Sequence, residues 1–128
     1  WEFNGMRLHE LYFENIKKDA PKANESSTIY KKIIDEFGSV ENFEKDFKAT
    51  GTMRGIGWVI LYYDKVSKQI FNSWINEHNT GHLSGCIPLL VMDVFEHAYM
   101  IEYGLKKVDY INSFFAAINW NEVEKRII

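Results

Sequence analysis

The chain has 128 residues, 46% of them hydrophobic and 16% aromatic, with a formal net charge of -3 at pH 7. That is enough apolar material for one domain with its own core and too much for a disordered chain. The negative balance argues against a general nucleic-acid binder, and no apolar run reaches the ~18 residues of a membrane span. Cys86 is the one cysteine, so an internal disulfide is excluded and a reducing, cytoplasmic setting is expected. With no second thiol near it, Cys86 reads as a small core residue rather than a ligand or nucleophile. No signal peptide opens the sequence. It starts at Trp1, inside a pattern that already reads as helix, and the expectation is that further residues precede it.

Asn4 to about Lys17 reads as an amphipathic helix, with Leu8, Leu11, Tyr12 and Ile16 at helical spacing. His9 lies at the edge of that apolar stripe, before Tyr12 and Phe13. Pro21 and the polar run Lys22-Ala23-Asn24-Glu25-Ser26-Ser27 break the helix and form a linker over 21–27. Ser27 or Thr28 caps a second helix, about 28–37, with Ile29, Ile33, Ile34 and Phe37 on its inner face and Gly38 as its stop. Ser39 caps a third, about 40–53, with Glu41 in the first turn and Phe43 and Phe47 pointing inward. Asn42 stands where a full capping box wants Glu or Gln.

Gly55-Ile56-Gly57 ends the helical pattern. Trp58 to Tyr63 is a run of strand formers, Asp64-Lys65 a turn, and Gln69 to Ile75 the second arm of a hairpin. Ile87 to Met92 gives a third strand, its unbroken apolar run suggesting burial on both faces. Beyond Asp93 the pattern is helical again, with Ile101, Leu105, Tyr110, Ile111, Phe114 and Phe115 inward and a break or cap at Asn119-Trp120-Asn121. The layout is α+β: helices, a three-stranded antiparallel sheet, then C-terminal helices.

The chemistry concentrates in Asp93-Val94-Phe95-Glu96-His97-Ala98-Tyr99. A carboxylate stands at the mouth of a buried strand with an imidazole four residues on, so a helical turn beginning at Asp93 puts both on one face. Such a pair suits a transition metal. On spacing alone the commoner fates remain open: Asp93 as a helix N-cap and His97 as a core histidine.

These seven residues resemble the signature of the iron/manganese superoxide dismutase family, usually Asp-Val-Trp-Glu-His-Ala-Tyr, with Phe95 in place of the Trp. Gly55-Ile56-Gly57-Trp58-Val59-Ile60-Leu61 is similar to the family's Gly-Ser-Gly-Trp-x-Trp-Leu segment. Asp109 to Phe115 and Asn119 to Val123 resemble its C-terminal helices. Leu8-His9-Glu10-Leu11-Tyr12-Phe13 resembles its second helix, where Asn-His is usual and the His binds metal.

The resemblance implies that His9, Asp93 and His97 hold one iron or manganese ion per chain. It implies that His82, eleven residues before Asp93, is the polar residue beside the metal's solvent, against the plainer reading of an exposed loop histidine. His78 reads as a bystander. Trp58 and Phe95 become pocket walls. Glu96 becomes a contact to the ligand His of a second copy, against the usual fate of a Glu as exposed surface. The activity implied is disproportionation of superoxide in a homodimer, with no nucleic-acid or membrane partner.

The family carries its first ligand His and a gateway Tyr on a helix that precedes the position of Trp1, and Met100 replaces a Tyr that reaches the partner's site. Residues 1–20 then correspond to the second helix of an N-terminal hairpin, 21–27 to a linker, and 28–128 to the C-terminal domain. The alternative is a non-catalytic metal-binding or interaction module of the same family, or one part of a split enzyme.

Overall fold

A computed structural model describes residues 2–18, 22, 24–52, 57–75, 85–95 and 107–127, with side chains described from Gly5 onward. In chain order these hold α1 (Glu2–Glu14), α2 (Thr28–Phe37), α3 (Val40–Gly51), β1 (Trp58–Asp64), β2 (Gln69–Ile75), β3 (Cys86–Asp93), α4 (Lys107–Ala116) and α5 (Trp120–Arg126). The expected α+β layout is the one found. Among the described residues, no helix is long and apolar enough to cross a membrane.

The sheet order is β2-β1-β3, antiparallel throughout. β1 is therefore the central strand, and Trp58 to Tyr63 are all buried. Because successive side chains alternate faces, β1 feeds two cores. Val59, Leu61 and Tyr63 join Ile29 and Ile33 of α2, Phe43 and Phe47 of α3, and Ile111 and Phe114 of α4. Trp58, Ile60 and Tyr62 face the other way, with Leu8 of α1, Ile75 and Val91. The second face is the one that carries the candidate site.

The caps of α2 and α3 follow from their sequence. Ser27 accepts from the Tyr30 N–H at 3.2 Å, and Ser39 from the Asn42 N–H at 3.1 Å. Gly38 closes α2 at φ +85°, a left-handed angle that glycine adopts at no steric cost. Asn42 does not reach back to its own cap. It donates instead to the Phe37 carbonyl at 2.9 Å, tying the end of α2 to the start of α3. A further cap comes from far along the chain. The Glu124 carboxylate of α5 accepts from the N–H groups of Thr28 and Ile29, at 3.1 and 3.0 Å. A negative group there suits the positive end of α2.

β3 is an edge strand by pairing, yet residues 89–93 are buried. Leu90 pairs with Leu61 and Pro88 with Tyr62, so Leu89 is an extra residue in a bulge. Pro88 cannot donate to a ladder, and a bulge on an edge strand is where a proline is tolerated. Cys86 begins the strand half-buried beside the second core, rather than inside it.

α1 ends at Glu14, three residues short of the expected Lys17. The reason is Asn15, which is fully buried and turns the chain. Its Nδ2 donates to the Tyr12 carbonyl at 2.8 Å. Ile16 then bridges to Ile118, with the Lys17 N–H on the Ala117 carbonyl and the Asn119 N–H on the Asn15 carbonyl, both at 2.8 Å. The segment after α1 is thereby fastened to the link between α4 and α5. Ile101 and Leu105, expected to pack inward, lie outside the described residues. Phe115 is half-buried, with its ring 5.9 Å from that of Phe43.

Candidate metal centre

Asp93 is the last residue of β3 and stands opposite Trp58, the first of β1. The ladder runs one step further, with the Val94 N–H on the Gly57 carbonyl at 2.9 Å. Gly57 has φ +135°, where side chains are strained, so a glycine just before Trp58 lets β1 open in register with the end of β3. Asp93 is only 3% exposed. A carboxylate that deep needs donors or a cation. Its Oδ1 accepts from the Phe95 N–H at 2.9 Å, a local turn of the kind Asp favours. Its Oδ2 lies 3.4 Å from His9 Nε2.

His9 sits on α1 with its side chain 36% exposed. Its Nδ1 is 2.8 Å from the Gly5 carbonyl, one turn earlier. A carbonyl oxygen only accepts, so Nδ1 carries the proton, and in the neutral ring Nε2 presents its lone pair. The second-nitrogen bond to a backbone carbonyl is the arrangement that fixes the tautomer of metal-binding histidines. A lone-pair nitrogen next to a carboxylate oxygen is repulsive unless a positive charge lies with them. A proton or a metal ion supplies it. Two donors on one ion at metal–ligand bonds of about 2.0–2.2 Å are roughly 2.8–3.8 Å apart for angles of about 90–120°. The observed 3.4 Å fits, and one imidazole nitrogen with one carboxylate oxygen is a donor set suited to iron or manganese.

Aromatic rings enclose the pair. The Trp58 ring meets His9 edge-on at 4.9 Å and Phe95 at 5.9 Å. Trp58 is fully buried and Phe95 half-buried. Tyr12 stands 6.4 Å from Trp58, stacks on Phe114 at 5.8 Å and shares a 2.9 Å hydroxyl hydrogen bond with Tyr110. α4 thereby braces the helix that carries His9.

Of the residues singled out from the sequence, His9, Asp93, Trp58 and Phe95 come together. His82, Glu96 and His97 lie outside the described residues. Among the described residues no third His, Cys, Asp or Glu joins the pair. Two residues that sequence reasoning passed over link the elements that carry His9 and Asp93. Asn15 Oδ1 accepts from the Val91 N–H at 2.7 Å and from Arg126 Nη1 at 3.2 Å. Arg126 also donates to the Leu89 carbonyl through Nη1 and to the Leu11 carbonyl through Nη2, both at 2.9 Å. Burial lowers the Arg126 pKa, while Glu122 and Glu14 push it back up; a guanidinium stays charged in such surroundings.

Residues 25–126 match the model of the iron/manganese superoxide dismutases, C-terminal domain. The chain is 36% identical to a protein named superoxide dismutase [Mn] from Haloarcula marismortui, over 92% of this chain and 57% of that protein. It is 36% identical to superoxide dismutase [Fe] from Aquifex pyrophilus, over 98% of this chain and 58% of the relative. It is 31% identical to superoxide dismutase [Fe] from Saccharolobus solfataricus, over 99% and 61%. The chain thus spans about three-fifths of the length of these relatives. With 102 consecutive positions under the family model, the chain belongs to the iron/manganese superoxide dismutase family.

Proposed function

We propose that the chain takes part in the disproportionation of superoxide, two superoxide anions and two protons giving oxygen and hydrogen peroxide. The observation that carries this is the 3.4 Å approach of His9 Nε2 to Asp93 Oδ2, with His9 Nδ1 already committed to the Gly5 carbonyl. His9, Asp93 and, by resemblance, His97 hold one iron or manganese ion. Bound there, either element supplies one-electron redox cycling. The protein does the rest. Gly5 holds the His9 tautomer, and the Phe95 N–H fixes one oxygen of Asp93 while the other faces His9 Nε2. Trp58 and Phe95 limit water around the pair. His82 is our candidate for handling the proton beside the ion, and Glu96 for a contact to a second copy in a homodimer.

The same pair favours a second reading. A site of this kind also suits a module that holds the ion without turning superoxide over, or one part of a split enzyme. Element analysis and a superoxide assay on the 128-residue chain separate these readings. Bound iron or manganese near one per chain with superoxide consumption is the expected result, and Asp93→Asn and His9→Gln lose metal affinity by at least about 100-fold. Metal without turnover selects the second reading. A wild-type chain that takes up neither element rules out both.

A further inference from the structure

His9 and Asp93 lie on elements that no ladder joins, a helix and the end of a strand. Their separation depends on what fixes α1 against β3. Leu8 packs against the face that carries Trp58, Ile60 and Val91, but apolar contact is non-directional and does not set a register. Directional bonds between the two elements come from Asn15 and Arg126.

On the strand side these two residues take the Leu89 carbonyl and the Val91 N–H. These groups, two residues apart, are the kind that a fourth strand would pair with. On the helix side they take the Leu11 and Tyr12 carbonyls in the last turn of α1, which also accept from the Asn15 backbone N–H at 3.1 and 3.3 Å. A cation is also favoured at that negative end. Leu11 is two residues after His9, and Val91 is two before Asp93. The fastening therefore sits within a turn of both members of the pair.

We propose that Asn15 and Arg126 are positioning residues for the His9–Asp93 pair, pegging α1 to the outer edge of β3 in one register. This rests on His9 and Asp93 being metal ligands. A ligand pair must be held to within about 0.5 Å to bind well. The planar fork of Arg126 reaches Leu11, Leu89 and Asn15 through two nitrogens. A lysine ammonium is a point charge on a flexible stem and cannot hold that spread of acceptors in one geometry.

The test compares folded variants of the 128-residue chain by Mn2+ titration and by proton NMR of the metal-free protein. Arg126→Lys and Asn15→Leu are expected to weaken Mn2+ binding about 10-fold or more. Ile33→Val, which thins the core on the other face of the sheet, leaves binding within about twofold. Asn15→Asp keeps the acceptor for Val91 and Arg126 but loses the donor to the Tyr12 carbonyl, so its affinity is expected between that of Asn15→Leu and the wild type. Without metal, the His9 ring protons are shifted by the Trp58 ring 4.9 Å away. That shift shrinks in Arg126→Lys and Asn15→Leu and persists in Ile33→Val. Should the wild-type chain bind no Mn2+, the ligand reading falls, and the ring shifts alone decide the positioning claim. Unchanged ring shifts in Arg126→Lys and Asn15→Leu overturn it. So does a loss that follows urea stability equally in all four variants.

Discussion

At the scale of single residues, the decisive atom is His9 Nδ1. Its bond to the Gly5 carbonyl leaves Nε2 as a lone-pair donor beside Asp93. Nitrogen-15 NMR of the metal-free chain should accordingly find a proton on His9 Nδ1; a ring protonated on Nε2 alone would contradict the site. Gly57 is the other sensitive position. Its φ of +135° and its carbonyl's bond to Val94 mean that Gly57→Ala strains the backbone next to Asp93. A cost of about 1–3 kcal/mol is expected in urea unfolding.

His9, Asp93, Trp58 and Phe95 were singled out because they sit in short motifs that resemble the family's; on spacing alone His9 read as the edge of an apolar stripe and Asp93 as a helix cap. Asn15 and Arg126 were not singled out. An Asn after a helix reads as a stop signal, and an Arg near a helix end reads as surface. Their partners lie 76 and 37 residues away, at Val91 and Leu89, and no local pattern encodes that.

At the scale of elements, periodicity and caps gave most of the layout. α2, β1 and β2 lie within a residue of their expected limits, because Ser27, Gly38 and the strand-forming runs each act through neighbours in sequence. α1 came out shorter because Asn15 finds better partners across the fold than another helical turn supplies. Glu124 was equally hidden, capping α2 from α5. Glu124→Gln keeps the shape and removes the charge, so a loss of about 1 kcal/mol is expected, shrinking at high salt. Phe47 is fully buried between α4 and the sheet, its ring 6.3 Å from that of Phe114. Phe47→Ala should cost about 3–5 kcal/mol by the same measurement, through lost burial and the cavity left behind.

At the scale of the whole molecule, stability should fall in alkali. Burial raises the Tyr62 phenol well above its usual range, with neighbouring Cys86 adding to it. Desolvation raises the Cys86 thiol, with Asp64 across the ladder adding to that. Both groups are neutral when protonated, and the fold favours that form. The unfolded chain loses these protons first, from about pH 8.5 for the thiol and about pH 10 for the phenol. Stability is therefore full below those values and declines as pH rises through them toward the folded-state values. Tyr62→Phe should flatten the decline above pH 10 in urea titrations across pH, and Cys86→Ser its onset near pH 9.

The bond between Arg126 and the Leu11 carbonyl spans 115 residues. On the ribosome, α1 emerges long before its anchor has been translated. At about 5–20 residues per second, the wait is roughly 6–23 s. During that interval no guanidinium holds the helix to the growing sheet, so His9 has no fixed distance to Asp93. Nascent chains stalled before residue 126 should therefore show no fixed ring shift at His9 from Trp58, whereas chains that include Arg126 should show one.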